Sequence, residues 1–206
     1  MSGIEQLRPG DAGFMNISGA AGALIWAGQK IVDATSREES KFKHVFVVVS
    51  AGGAEREGSA PTVRIVQAMP SGAECIEIGA EHWSPHFLYI RPHYKVAGVG
   101  YGGMSERVAQ KAMNYVGTPY SFLDYVAIAG LHVGIKNGLI RRRVTSSKRM
   151  ICSQLADQAM TDAGWHVFDD GRLPQDVTPA ALYRKMMTMP GQYIVGGTNI
   201  WRPTAG

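Results

Sequence analysis

Two cysteines and six histidines are the groups in this chain best suited to nucleophilic or acid–base chemistry. One of them, Cys152, lies in Arg149-Met150-Ile151-Cys152-Ser153-Gln154-Leu155-Ala156, where helical spacing begins. Cys152, Ala156, Ala159 and Ala163 recur at i, i+4, i+7 and i+11, the stripe of one buried helix face. A cysteine there sits at a helix amino end. Unpaired N–H groups and the positive end of the macrodipole at such an end stabilise a thiolate and hold an oxyanion. The expected consequence is a thiol pKa below the free value of about 8.5. The same residue also reads as a small core cysteine, and this segment alone leaves both open.

Two polar residues on otherwise apolar runs are the other candidates. His44 opens a β-prone run and shares a face with Phe46 and Val48. Gln67 shares a face with Val63, Ile65 and Met69 in a second run. An antiparallel hairpin that pairs Val49 with Thr62 sets His44 directly opposite Gln67. A bond from His44 Nδ1–H to the Gln67 oxygen would satisfy both buried groups and leave Nε2 as a base toward a cysteine. A structurally satisfied core pair is the equal alternative.

These side chains need elements to hold them. Arg8-Pro9-Gly10-Asp11 is a turn signal before a strand over 12–17, followed by a small-residue helix over 20–34. Strands are expected over 44–49, 62–69, 73–78 and 87–91, with a glycine-rich link over 98–103. Ser105 can cap a helix with the stripe Val108, Ala109, Ala112, Met113 and Val116, ended by Gly117 and Pro119. A mostly helical stretch over 120–138, the cysteine helix to about Gly164, a helix over 179–187 and a strand over 193–201 complete the order. Strands followed by helices give an α+β pattern, read as a single domain over 1–206.

The 206 residues are 45% hydrophobic and 18% charged, the balance of a folded soluble chain. A formal charge of +4 and a pI near 9.1 do not by themselves indicate nucleic acid, and none is expected as a partner. Cys75 and Cys152 are too far apart in sequence to suggest a disulfide framework or a cysteine metal cluster, and no cofactor is expected. No secretory signal is recognised, and the longest apolar stretches are too short to span a bilayer. The expectation is a product that is cytoplasmic as synthesised, with delivery by a phage particle or another export route left open. His82, His86 and His93 are a weak zinc candidate, opposed by Pro85 and Pro92. Arg141, Arg142, Arg143, Lys148 and Arg149 form either an attractor for anionic substrate or a solvated loop.

Five pieces, in order, resemble a circularly permuted papain-like cysteine hydrolase of the NlpC-type cell-wall peptidase superfamily. They are Pro9-Gly10-Asp11, Lys43-His44-Val45, Ile65-Val66-Gln67-Ala68-Met69-Pro70-Ser71-Gly72, Gly117-Thr118-Pro119-Tyr120 and Ile151-Cys152-Ser153-Gln154-Leu155. The histidine precedes the cysteine, as in the permuted branch that includes lecithin–retinol acyltransferase-like enzymes. The resemblance implies an antiparallel sheet or open barrel packed against helices. It also implies Cys152 as nucleophile, His44 as general base and then acid, Gln67 as the orienting residue and Tyr120 in the substrate cleft. Permuted bacterial relatives often carry a glutamate where this chain has Gln67, so the imidazolium here has less support. The implied function is hydrolysis or transfer at an amide or ester bond of a peptidoglycan peptide or an acyl lipid, through an acyl-cysteine. A non-catalytic module of a larger assembly that retains the fold is the rival reading.

Overall fold

The computed structural model describes residues 7–18, 22, 25, 41–51, 62–79, 87–92, 101–119, 150–172, 174–189, 191–195 and 198–202. Among the described residues seven strands form one antiparallel sheet: β1 (Ala12–Met15), β2 (His44–Ala51), β3 (Thr62–Met69), β4 (Gly72–Gly79), β5 (Leu88–Pro92), β6 (Gly191–Val195) and β7 (Thr198–Arg202). Their spatial order is β4-β3-β2-β1-β5-β6-β7. Three α-helices are described in full among the described residues, α1 (Tyr101–Met113), α2 (Cys152–Asp162) and α3 (Pro179–Thr188), so the fold is α+β. No helix among the described residues is long and apolar enough to cross a membrane.

The central strands are Val- and Ile-rich because both faces are covered. Val45 and Val47 of β2 and Val66 and Ala68 of β3 pack with Val108 and Ala112 of α1 and Leu155, Ala156 and Ala159 of α2. On the other face Phe46, Val48, Val63, Ile65, Ile78 and Tyr89 form a separate cluster. Strand alternation sorts the chain between these two layers. Gly13 makes the second one possible. It pairs with both Phe46 and Tyr89, and a Cβ there would lie 2.1 Å from the Phe46 ring. The Phe46 and Tyr89 rings meet edge to face with centroids 5.6 Å apart.

The turn before β1 is pinned by a buried ion pair. Arg91 Nε and Nη2 donate to Asp11 Oδ1 and Oδ2 at 2.8 and 2.7 Å, and the Arg8 N–H adds a third bond at 2.8 Å. Burial raises the Asp11 carboxyl pKa while Arg91 pulls it back. Asp11 and Gly10 also exchange backbone bonds with Val48, which couples the turn to β2.

Several boundaries differ from the sequence reading. The last strand is a hairpin, β6–β7, rather than one run. Helix α1 begins at Tyr101, inside the expected glycine-rich link, so Ser105 is not its cap. It ends at Met113, and Met113 and Val116 of the expected stripe are 37% and 42% exposed. Of the helix expected over 20–34, only residues 22 and 25 are described; the rest, like the stretch 120–138, lies outside the described residues.

Two stability changes are expected. Arg91→Met leaves the Asp11 carboxylate buried without its partner and should cost about 3–5 kcal/mol in urea unfolding. A loss under 1 kcal/mol would show that the pair does not hold the turn. Asp157 of α2 is also buried, its Oδ1 has no hydrogen-bond partner among the described residues, and burial pushes its carboxyl up to about 6, opposed by Arg172. A folded pKa above the unfolded one means that folding favours the proton, so stability falls as pH rises from about 4 to about 6. The loss is on the order of 3 kcal/mol, and Asp157→Asn should abolish it. Equal pH dependence of the urea midpoint in both proteins would refute this.

Candidate active site

Helix α2 opens at Cys152 because Ile151 is in extended conformation and Gln154 Oε1 reaches back to the Ile151 N–H at 3.4 Å. Further along, Ser153 Oγ donates to the Val177 carbonyl at 2.6 Å and ties the first turn to the segment before α3. Leu155, Ala156, Ala159 and Met160 bury the helix against the sheet, and Gly164 at φ +96° follows its end. These contacts fix the thiol at the base of the helix. Cys152 is 3% exposed, and the nearby backbone N–H groups of Val45, Ser153 and Cys152 itself act to lower its thiol pKa. The β2–β3 pairs begin at Phe46 and Gln67, so the Val45 N–H lies just past that ladder.

His44 and Gln67 do meet. His44 Nε2 and Gln67 Oε1 are 2.9 Å apart, both residues buried. The route differs from the expected one. Gln67 pairs with Phe46, not with His44, and the ladder shifts again between Val48 and Ser50. A slip of two residues keeps every side chain on its face, so the contact survives as a diagonal one. The nitrogen also differs. Nε2 bonds the amide, and Nδ1, nearer the backbone, is the one left over.

Val45, which follows His44 in β2, has an N–H group that favours the Cys152 thiolate. No direct hydrogen bond links the ring to the thiol among the described residues. The ring lies on the Phe46 side of β2, and Cys152 packs with Val45 and Val47 on the helix side. An apolar cavity of about 190 Å³ opens beside the ring, walled by Met15, Phe46, Ile65, Met69, Ile78 and Phe87 together with Gln67.

Burial governs the protonation states. It pushes the Cys152 thiol up to about 11 despite its three N–H donors. The expectation of a depressed thiol pKa is therefore corrected: desolvation outweighs the helix end. Burial likewise lowers the His44 pKa, partly offset by Gln67 and by the charge of Glu74. Both groups rest neutral.

Glu74 is the residue that the sequence reading missed. Gln67 Nε2 donates to Glu74 Oε1 at 2.9 Å, and the two are paired across β3 and β4. The tight Pro70-Ser71 turn between Met69 and Gly72 carries that pairing in the sequence, since residues equidistant from a two-residue turn face each other. Cys75, next to it, is half-buried and accepts a 3.4 Å contact from Arg64 Nη2. Tyr120, His82, His86, His93, Lys148, Arg149 and the three arginines 141–143 lie outside the described residues. Among the described residues no three His, Cys, Asp or Glu side chains gather to hold a metal ion.

No family model matches the chain, and no curated protein does. Among solved structures the chain is similar to the metalloprotein yiiX of Escherichia coli O157:H7, at 17% identity over 87% of this chain and 80% of that one, with a TM-score of 0.45.

The burial of the thiol sets an expectation for alkylation. With iodoacetamide at pH 7, Cys75 should be modified before Cys152, and labelling of Cys152 should accelerate as pH rises toward 11. Peptide mass spectrometry reads both sites at once. Faster modification of Cys152 at pH 7 would mean that the helix end outweighs burial after all.

Proposed function

We propose that this protein is a thiol-dependent hydrolase or transferase acting at an amide or ester bond. One observation carries the reading: Cys152 opens a buried helix packed against β2, the strand that His44 begins, with the N–H groups of Val45, Ser153 and Cys152 near enough to favour its thiolate. A nucleophile with convergent N–H donors thus lies on one face of the strand that carries a base on its other face. Gln67 holds Nε2 of His44, which leaves Nδ1 to take the thiol proton.

In the proposed reaction the Cys152 sulfur attacks the substrate carbonyl as its proton is relayed past the end of β2 to His44 Nδ1. The carbonyl π-bond breaks to give an oxyanion, which takes the Cys152 and Ser153 N–H groups. Collapse expels the amine or alcohol, which departs with the proton held by His44, and a thioester remains on Cys152. Water, or an acceptor hydroxyl or amine, then attacks the thioester and restores the thiol. Because thiol and imidazole both rest neutral, attack needs concerted proton transfer rather than a preformed ion pair. The apolar cavity beside His44 favours an acyl chain over a charged stem peptide as the group presented.

A non-catalytic module is favoured by a different observation, the buried thiol without a direct bond to His44. Exposure to phospholipids and, separately, to peptidoglycan fragments, followed by intact-mass spectrometry, decides between the two. An acyl adduct confined to Cys152 is expected, absent in Cys152→Ala and retained in Cys75→Ala. Turnover that survives Cys152→Ala would end the thiol mechanism. Absence of adduct and turnover with both substrate classes would favour the module.

A further inference from the structure

Gln67 can present either its oxygen or its NH₂ group to His44, and the choice decides which imidazole nitrogen is protonated. Glu74 removes that freedom. A carboxylate accepts and cannot donate, so the Gln67 Nε2 group must face Glu74 Oε1, where it lies at 2.9 Å. The Gln67 oxygen is then turned to His44, at 2.9 Å, and accepts only from a protonated Nε2. The neutral ring is thereby fixed as the Nε2–H tautomer with a bare Nδ1.

We propose that Glu74 is a positioning residue that sets the tautomer and basicity of His44 through the Gln67 amide. The proposal deepens the hydrolase reading and rests on it for its catalytic meaning, but the side-chain relay stands by itself. In the relatives that the sequence resembles, a carboxylate often takes the place of Gln67 itself; here the charge is one residue further from the ring, across the β3–β4 pair. That distance matters. A carboxylate in direct contact would be buried beside His44, whereas Glu74 is half-buried and keeps part of its hydration. Apart from Gln67, the cavity beside His44 is lined by Met, Ile and Phe side chains, none of which titrates. The titratable group that acts on His44, among the described residues, is therefore Glu74.

Glu74→Gln keeps size and hydrogen bonding but can donate as well as accept, so the amide is released to turn. Nitrogen-15 correlation spectra of the full chain, with the His44 signal assigned by its loss in His44→Asn, read the tautomer directly. Wild type is expected as one Nε2–H form above the ring's pKa. Glu74→Gln is expected to show a mixture with the Nδ1–H form and a downward shift of the His44 pKa, while Glu74→Asp keeps the wild-type tautomer. An unchanged tautomer and pKa in Glu74→Gln, with the fold intact by circular dichroism, overturns the proposal. On any substrate that is turned over, Glu74→Gln should lower kcat with KM unchanged, by no more than about 10²-fold, the low end of what a positioned base supplies. The acid limb of its pH–rate profile should move down. The spectra need no turnover, so an inactive protein with the expected tautomer change would sink the hydrolase reading and leave the relay standing.

Discussion

The pleat of β2 is the constraint on which the rest of the structure depends. Its odd residues, Val45 and Val47, build the layer under α1 and α2, and its even residues, Phe46 and Val48, build the aromatic and aliphatic layer on the other side. His44 stands at the end of that alternation with its ring on the aromatic side, while the Cys152 thiol packs on the helix side. The two groups of the candidate site therefore flank one strand end. A shift of β2 by one residue would exchange its core faces and carry His44 to the other side. The Asp11–Arg91 pair and the backbone bonds between Val48 and the turn before β1 oppose such a slip at the other end of the strand.

Electrostatics at the site are decided by desolvation rather than by attraction. Three N–H donors and a helix end act to ionise the thiol, and burial still pushes it up to about 11. The same competition lowers the imidazole pKa. A resting pair of neutral groups is stable in an apolar setting, where separated charges would carry a heavy solvation penalty. Polarity is instead stepped outward: imidazole to amide at 2.9 Å, amide to carboxylate at 2.9 Å, with the carboxylate where water can reach it. The chain His44–Gln67–Glu74 keeps formal charge out of the core while still orienting the imidazole.

Much of this was legible in the sequence. β3 runs from Thr62 to Met69 as its alternation requires, and β2 starts at His44 as its β-branched run requires. The stripe Cys152, Ala156, Ala159 and Ala163 marked the buried face of α2, because a 3.6-residue period with small side chains leaves one packing solution. The contact between His44 and Gln67 was also readable from two polar residues isolated on apolar faces, since buried polar groups need partners.

Only the tertiary structure decided the rest. The loop between β2 and β3 is too long to fix register, so the pairing of Gln67 with Phe46, the bulge after Val48 and the use of Nε2 follow from how the sheet packs. The protonation states of Cys152 and His44 depend on how much water the helices and the aromatic layer exclude, a quantity that no local pattern carries. The local Pro70-Ser71 turn sets Glu74 opposite Gln67, but only the folded sheet shows the Gln67 amide bonding its carboxylate while turning its oxygen to His44. Sequence set which residues share a face, because side-chain direction is a local property of the backbone. Folding set which faces meet and how dry they become, because those depend on distant parts of the chain closing over them.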